Sequence, residues 1–371
     1  MNRKLIIIGI FFFLFFLIFS GCLENLGFTN NTTTYEAHPT SVGYKISYGF
    51  YVNITGSGNY NILYNCDKPD RYITTSLGSL EKLYPNDYVE KNIYNNSIIF
   101  WNISREQEKN YKLGISSTIE SESYIISDLK GTNAEDIGDI KNNYQDVYDR
   151  YTKKQNIDDT IYIDPDDSEI KNIAEKILDD YGPNSFIVAK KLFIWLKNNT
   201  SYEISTSSND VKTASQTFKD KKGDCDDLSF LFISLCRSVG IPSRFIRGYH
   251  VEYDEGTIHV EPHAWVEVFV GENIGINGWI PVECAGISNG NNGIKNQVYQ
   301  NFGVESVEHL RVYIDDGTDE SLNFSISGPL VKYENGLSIK MSSFVDIEDY
   351  TIFKQEKLYI DEDENRFYKN N

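Results

Sequence analysis

The segment Lys222-Gly223-Asp224-Cys225-Asp226-Asp227 decides the fold of this chain, because it introduces a helix that is apolar on nearly every side. Its apolar positions are Leu228, Phe230, Leu231, Phe232, Ile233, Leu235, Cys236 and Val239. A helix that is apolar all round is buried, and Gly240-Ile241-Pro242 supplies a normal helix ending. We therefore predict a buried central helix, with Cys225 at or just before its first turn.

The position of Cys225 gives its thiol chemical significance. Unpaired backbone N–H groups and the helix dipole favour a thiolate there, and the same N–H groups can receive an oxyanion. Asp224, Asp226 and Asp227 oppose this effect, since like charge nearby raises the pKa of a thiol. A cationic imidazole beside Cys225 is therefore expected.

The stretch Pro262-His263-Ala264-Trp265 offers that imidazole within a predicted, largely buried β-strand. The segment Ser243–Val251 supplies one intervening strand, and Trp279–Val282 predicts a further short strand with Glu283 near its end. Strands that follow one another in sequence are often neighbours in a sheet, so Glu283 is expected beside His263. Thiol, imidazole and carboxylate are the groups that make a cysteine nucleophile reactive.

These residues resemble the transglutaminase-like superfamily, whose members share a Gly-x-Cys at a helix start, a His-Ala-Trp strand and a Trp-x-x-x-Asp strand. The resemblance is strongest from Asn198 to Ala285 and extends more weakly back to Asp164. It implies an α+β, papain-like core in which the nucleophile helix packs on an antiparallel sheet. It also implies that Cys225 is the nucleophile, His263 the general base and acid, and Glu283 the orienting carboxylate, with no cofactor.

The expected chemistry is acyl transfer through a thioester on the cysteine. Water as acceptor would make the protein a cysteine peptidase or amidase, whereas a lysine amine would make it a cross-linking acyltransferase. Prokaryote-like members of the superfamily lean toward hydrolysis, so we favour the first reaction, although no residue of the sequence decides between them.

Glu283 departs from the family pattern, which usually has Asp at that position. One extra methylene moves the carboxylate by roughly one bond length. Glu267 is the alternative orienting carboxylate, because it lies four residues after His263 and therefore on the same strand face. The predicted supporting residues are Asp224, Trp265, Glu267 and Trp279.

The same residues also allow interpretations without catalysis. Cys225 alone would more often be a small buried apolar residue, and a degenerate site would make the protein a surface binding or assembly protein. His259, Glu261 and His263 alternate and could bind a metal from one strand face, but Pro262 interrupts that regularity. We predict no metal.

The N-terminus predicts export. The basic Asn2-Arg3-Lys4 precedes an apolar run from Leu5 to Phe19, which is shorter than the about 20 residues of a spanning helix. Ser20-Gly21-Cys22 then resembles a lipoprotein signal, with Cys22 as the lipidated residue; an uncleaved signal anchor is the alternative. Both predict a cell-membrane protein that faces outside, with 1–21 as signal or anchor and 22–40 as tether.

Composition is consistent with export. The net charge of -19 argues against partners such as nucleic acid or an anionic membrane surface, and it suits an ectodomain acting on a protein, a peptide or a cell-envelope polymer. Of the five cysteines, Cys66, Cys236 and Cys284 remain once Cys22 and Cys225 have been assigned. Because three cysteines cannot all pair, we predict no disulfide framework.

Periodicity divides the rest of the chain. Alternation from Val42 to Ile54 and further strands predict a β-sandwich-like domain over 41–126. The segment 127–159 is a polar connector with one short helix, and 160–290 is the catalytic domain, whose first helix opens at Asp164-Pro165.

The stretch 291–371 is predicted to be β-rich, and it either completes the catalytic sheet or forms a second module. Its strand signals are Leu310, Val312 and Ile314, then Leu322, Phe324 and Ile326. Asn335-Gly336 predicts a hairpin turn.

Overall fold

The protein is described by a computed structural model that covers residues 33–70, 75–107, 109–204, 211–254, 256–286, 293–325 and 328–369. The predicted signal or anchor and Cys22 lie outside these ranges. Within them, no helix is both long enough and apolar enough to cross a membrane.

Strands make up much of the described chain. In chain order they are β1 Thr33–Gly56, β2 Tyr60–Asp67, β3 Thr75–Lys82, β4 Tyr88–Ile93, β5 Asn96–Arg105, β6 Lys109–Glu122, β7 Tyr124–Ile125, β8 Gln155–Ile157, β9 Thr160–Ile163, β10 Ser201–Tyr202, β11 Lys222–Gly223, β12 Ser243–Asp254, β13 Thr257–Phe269, β14 Trp279–Val282, β15 Val304–Glu305, β16 His309–Ile314, β17 Leu330–Tyr333, β18 Leu337–Ile360 and β19 Arg366–Lys369.

The helices cluster in the middle of the chain. They are α1 Ile137–Asn143, α2 Gln145–Tyr151, α3 Ser168–Tyr181, α4 Ser185–Asn199, α5 Ala214–Asp220, α6 Cys225–Ser238, α7 Ile294–Asn301 and α8 Asp319–Ser325. The predicted connector therefore contains two short helices, α1 and α2, where the sequence indicated one.

Two antiparallel sheets form a β-sandwich. One has the strand order β19-β18-β1-β6-β3 and the other β17-β2-β5-β4. Apolar side chains from both sheets, among them Tyr44, Ile62, Trp101 and Leu113, form one buried cluster. The sandwich agrees with the alternation predicted for the first part of the chain.

The pairing of this sandwich differs from the predicted division into modules. Strand β1 pairs with β18 from Thr33↔Ile360 to Gly56↔Leu337, and β17 pairs with β2. The C-terminal strands thus complete the sheets of the predicted 41–126 domain, and β1 begins inside the predicted 22–40 tether. Local periodicity identifies a strand but not its distant partner, so the sequence could not supply this pairing.

The Asn335-Gly336 turn is also not a hairpin. It joins β17, which pairs with β2, to β18, which pairs with β1, so the two flanking strands lie in different sheets. The turn signal was correct, but the pairing that it predicted was wrong.

A third antiparallel sheet, of order β14-β13-β12-β16, carries the catalytic candidates. Helix α6 packs on β12 and β13, and its apolar side chains, with those of the other helices, form a second buried cluster. On the other side, Val251 and Leu310 belong to the core of the sandwich. Strand β16 completes this sheet, which is one of the two arrangements predicted for the C-terminal stretch.

Two local predictions were wrong. The helix expected to open at Asp164-Pro165 is α3, which begins at Ser168, because Oδ1 of Asp167 caps it by accepting the N–H groups of Glu169 (2.9 Å) and Ile170 (3.2 Å). The strand expected around Leu322 is helix α8, since three alternating apolar residues are too few to fix the period.

Candidate active site

Cys225 is the first residue of α6, and a reciprocal cap fixes that helix start. The Asp224 carboxylate accepts the N–H of Asp227, and the Asp227 carboxylate accepts the N–H of Asp224. Gly223 is required for this close approach, because a Cβ at that position would lie 2.4 Å from Cβ of Asp227. The cap therefore holds the cysteine where unpaired backbone N–H groups point outward.

The Cys225 side chain meets the strand that carries the predicted imidazole. The backbone N–H of Ala264, the residue directly after His263, lies near enough to Sγ to lower the pKa of the thiol. Sγ itself donates a long hydrogen bond, of 4.0 Å, to Oδ1 of Asp226. The thiol is partly exposed, whereas Cys66, Cys236 and Cys284 are buried. Among these four free cysteines, Cys225 is therefore the accessible one.

His263 and Glu283 are in direct contact. Nε2 of His263 lies 2.7 Å from Oε2 of Glu283, and both residues are buried. The antiparallel register between β13 and β14 explains the contact. Val266 pairs with Val282, so the next residue, Glu283, lies beside the part of β13 that contains His263. Because Nε2 is engaged by the carboxylate, Nδ1 is the ring nitrogen left to exchange a proton with a substrate or a thiol.

The Glu283 carboxylate is held by four groups. Oε1 accepts the backbone N–H groups of Ala285 (2.6 Å) and Gly286 (3.0 Å), and Oε2 also lies 3.1 Å from Nε2 of His309. Burial alone would raise the pKa of Glu283, but His263 and His309 hold it well below its usual value. The carboxylate therefore stays ionised at neutral pH.

Lys197 fixes the turn that follows Glu283. Its Nζ donates to the carbonyl oxygens of Cys284 and Gly286, the latter over 2.9 Å. This turn presents the N–H groups of Ala285 and Gly286 to Oε1 of Glu283. Through Lys197, helix α4 therefore stabilises the turn that binds the carboxylate. Burial lowers the pKa of Lys197 below its usual value.

His309 was missed at the sequence level. It is the first residue of β16, and its ring stacks on Trp265 with a centroid distance of 4.6 Å. The alternation after it predicted a strand, but a motif search limited to the family pattern ends near Ala285. Only the pairing of β16 with β12 brings this histidine to Glu283.

His263, Glu283 and His309 also have the side chains that a metal ion would need, with ligand atoms within 4.8 Å of one another. However, Nδ1 of His309 is buried without a hydrogen-bond partner in the described part of the chain. A neutral imidazole carries one proton on one of its two nitrogens. If Nε2 of His309 bound a metal, that proton would have to lie on Nδ1, where a buried N–H group without an acceptor costs about 1–3 kcal/mol. The arrangement therefore fits N–H donors on a carboxylate better than a metal centre.

The predicted metal alternative involved different residues. His259 and Glu261 are exposed on β13, and neither belongs to the group of converging ligand atoms, which is formed by His263, Glu283 and His309. His263 alone is common to both sets.

Glu267, the alternative orienting carboxylate, has other partners. Its Oε2 lies 2.6 Å from Nη2 of Arg244, and its Oε1 lies 2.7 Å from Nη1 of Arg311. Arg311 also contacts Glu305, with 2.6 Å between Nη2 and Oε2. Glu267 is therefore part of a buried ionic cluster, and Glu283 is the carboxylate on His263.

The two predicted supporting tryptophans lie next to the ionic cluster of Glu267. The ring of Trp265 stacks with the rings of His263 and His309, and the guanidinium carbon of Arg311 lies 5.7 Å from the centroid of the Trp265 ring. The guanidinium carbon of Arg244 lies over the ring of Trp279, 4.0 Å from the ring centroid. Both rings thus fix the sheet that positions the histidines.

The surroundings of Cys225 favour the protonated thiol over the thiolate. Burial raises the pKa of Cys225 above its usual value, and the charges of Asp226 and Asp224 raise it further. Among the described residues, no hydrogen bond joins Sγ of Cys225 to the His263 ring. The structure therefore favours a histidine that removes the proton as the thiol reacts, instead of a preformed thiolate.

The charge of Asp226 predicts a pH-dependent effect on the thiol. Burial, with Asp224 and Asp227, raises the pKa of Asp226 to about 7, so its charge opposes the thiolate only as the pH rises through neutrality. Asp226→Asn should speed alkylation of Cys225 by iodoacetamide about three- to tenfold at pH 8 and change it little below pH 6. Peptide mass spectrometry would give the rates.

Asp220→Asn is the matched control, because Asp220, the last residue of α5, pairs with Lys212 and is not among the groups that raise the pKa of Cys225. Equal rates for Asp226→Asn and the unmodified protein at pH 8 would refute the electrostatic explanation.

Comparison with known proteins shows which family this part of the chain resembles. Residues 171–284 match the sequence profile of the transglutaminase-like superfamily. A Bacillus subtilis relative, the uncharacterized protein YebA, is 33% identical over 129 residues, which are 31% of this chain and 17% of YebA. This chain thus spans a small part of that relative.

A solved structure extends the likeness in fold. A protein from Cytophaga hutchinsonii, provisionally described as a cysteine protease, superimposes with a TM-score of 0.53 and 15% identity, covering 91% of this chain and all of that one. Residues 171–284 thus form a transglutaminase-like domain. The predicted α+β class with this core is confirmed.

Proposed function

We propose that the protein is a thiol enzyme that cleaves amide bonds through a thioester on Cys225, as a cysteine peptidase or amidase. One observation carries the proposal. Nε2 of His263 lies 2.7 Å from Oε2 of Glu283, and His263 directly precedes Ala264, whose backbone N–H lies near Sγ of Cys225. Nucleophile, base and orienting carboxylate are thus in adjacent positions.

The first half of the reaction forms the thioester. Nδ1 of His263 takes the proton of Sγ while sulfur attacks the amide carbonyl carbon, and the carbonyl π electrons move onto oxygen. Backbone N–H groups at the start of α6 stabilise that oxyanion. When the tetrahedral intermediate collapses, the C–N bond breaks and the imidazolium returns the proton to the leaving amine.

The second half releases the acyl group. His263 deprotonates a water molecule, which attacks the thioester carbonyl; the C–S bond then breaks, and sulfur regains a proton from the imidazolium. Glu283 is ionised throughout because its pKa is held low, so it stabilises the imidazolium in both halves without accepting its proton.

Transfer to an amine is the second candidate. Asp224 and Glu261 place negative charge near Tyr202, Asp224 also acts on Cys225, and Asp226 adds charge beside Cys225 above neutral pH. This charge would concentrate a cationic amine by Coulombic attraction. The description of the Cytophaga hutchinsonii structure supports hydrolysis instead. We give hydrolysis precedence.

The experiment separates the two acceptors. The protein is incubated with unfolded casein whose lysines are methylated, together with a fluorescent primary amine. New peptide termini or Gln→Glu conversions detected by mass spectrometry indicate transfer to water, whereas incorporation of the fluorescent amine indicates transfer to nitrogen. Absence of all three products, across casein and a cell-envelope extract, would favour the surface-binding alternative.

We also propose that the enzyme is anchored to the cell membrane and faces outside, which the basic and apolar N-terminus and Cys22 support. Cys22→Ser should release the protein from membranes if a lipid anchors it, and should leave it membrane-bound if an uncleaved helix does. Recovery of the unmodified protein in the cytosol would contradict both forms of the proposal.

A further inference from the structure

We propose that His309 is a positioning residue of the catalytic site, which extends the thiol, imidazole and carboxylate by a second imidazole supplied from the C-terminal part of the chain. The inference rests on the proposed function. His309 lies beyond the 171–284 match to the superfamily, so this part of the site belongs to a segment that the family pattern does not describe.

The geometry at Glu283 supports the assignment. Two imidazoles share one carboxylate oxygen, since Nε2 of His263 lies 2.7 Å and Nε2 of His309 lies 3.1 Å from Oε2. Two backbone N–H groups hold Oε1. A carboxylate has about four acceptor positions, so His309 occupies the last of them and completes the shell around Glu283.

The extra methylene of Glu283 explains why a fourth partner is needed. A glutamate has one more side-chain torsion than an aspartate, in addition to the broad terminal torsion that both share. One imidazole and the backbone N–H groups therefore restrict the position of Oε2 less than they would restrict an aspartate oxygen. His309 restrains Oε2 from a second strand, β16. His263 then keeps Nε2 on the carboxylate and Nδ1 free for proton exchange.

The fold holds His309 rigidly. Gly248 of β12 pairs with His263 on one side and with Arg311 of β16 on the other, and a Cβ there would lie 2.0 Å from the carbonyl oxygen of Leu310. The absent side chain thus lets β16 approach closely. The His309 ring is buried and stacks on Trp265 at 4.6 Å.

The orientation of the His309 ring allows its Nε2 donor to be tested by substitution. Nε2 of His309 faces Glu283, whereas Nδ1 is buried without a partner among the described residues. The amide of glutamine can replace a histidine Nε2 donor, whereas the shorter asparagine replaces Nδ1. Activity should therefore follow the order His309, His309→Gln, His309→Asn, and His309→Phe should keep the stack without a donor.

The measurement is the rate of Cys225 acylation by p-nitrophenyl acetate, followed by release of p-nitrophenolate and by intact mass. His309→Phe and His309→Asn should each lose about 10- to 100-fold, whereas His309→Gln should stay within about threefold of the unmodified protein. Equal rates for the Gln and Asn variants would overturn the inference. A histidine that is needed only for the volume of its ring would not distinguish these two amides.

A double-mutant cycle tests the route of the effect. If His309 acts through Glu283, His309→Phe should change the residual acylation rate less than twofold once Glu283 is replaced by glutamine. An undiminished loss in the Glu283→Gln background would overturn the inference. If the unmodified protein does not acylate Cys225 at all, the proposed function fails instead, so the two failures are distinguishable.

Discussion

Cys225→Ala is expected to lower amide cleavage by about 10⁴-fold or more. In the proposed mechanism the sulfur of Cys225 forms the thioester. The other cysteines of the described ranges, Cys66, Cys236 and Cys284, are buried in the two cores and cannot replace it. New peptide termini or Gln→Glu conversions in methylated casein would measure the loss.

Cys236→Ala provides the matched control, because Cys236 lies on the same helix α6 but is buried in its core. This variant should retain the activity of the folded fraction, although loss of buried volume lowers its stability. Cleavage that survives in Cys225→Ala and disappears in Cys236→Ala would contradict the assignment of the nucleophile.

Arg311→Met is expected to give the largest loss of stability. Arg311 is 2% exposed and contacts two buried carboxylates, those of Glu267 and Glu305. Removing the cation takes this partner from Glu305 and takes one of its two arginine partners from Glu267, which keeps Arg244. Breaking such a buried pair costs about 3–5 kcal/mol, which urea titration followed by circular dichroism would measure as a lower free energy of unfolding.

The pH dependence identifies the cause. Burial opposes ionisation of Glu267, but Arg311 and Arg244 lower its pKa to about 2. A depressed pKa contributes stability above the ordinary Glu value, and that stability is lost as the pH falls toward 2. Because protonation relieves the uncompensated carboxylates, the stability difference between Arg311→Met and the unmodified protein should narrow below about pH 4.5.

Arg105→Met is the control for this prediction, because the ion pair of Arg105 with Asp87 lies at the surface. Its removal should change the free energy of unfolding little. A similar loss for both variants, or a loss for Arg311→Met that is the same at pH 7 and pH 4, would show that the buried charges are not the cause.

The transglutaminase-like core could be predicted because its signals are local. Gly223 and Cys225 mark the start of α6, the apolar residues around that helix indicate its burial, and the order of β12, β13 and β14 follows the chain. Strands adjacent in sequence paired with one another, so the contact between Glu283 and His263 could be expected from sequence.

The rest depended on contacts between distant residues. His309 reaches Glu283 only because β16 pairs with the far edge of β12, and β18 pairs with β1 across the length of the chain. The position of Glu267 on the strand face of His263 predicted a role in the site. In the structure it pairs with Arg311, a residue that belongs to no motif of the sequence. Alternation identifies a strand face, but the partner of that face is set by the packing of the whole molecule.

The central claim is that Cys225 is a nucleophile whose proton is removed by His263. Acylation by an active ester tests this claim without knowledge of the natural substrate. Treatment with p-nitrophenyl acetate should release one equivalent of p-nitrophenolate in a burst and leave an acetyl group on Cys225, and His263→Ala should slow that burst about 100-fold or more. Acetylation spread over other residues, or a burst unchanged in His263→Ala, would contradict the account.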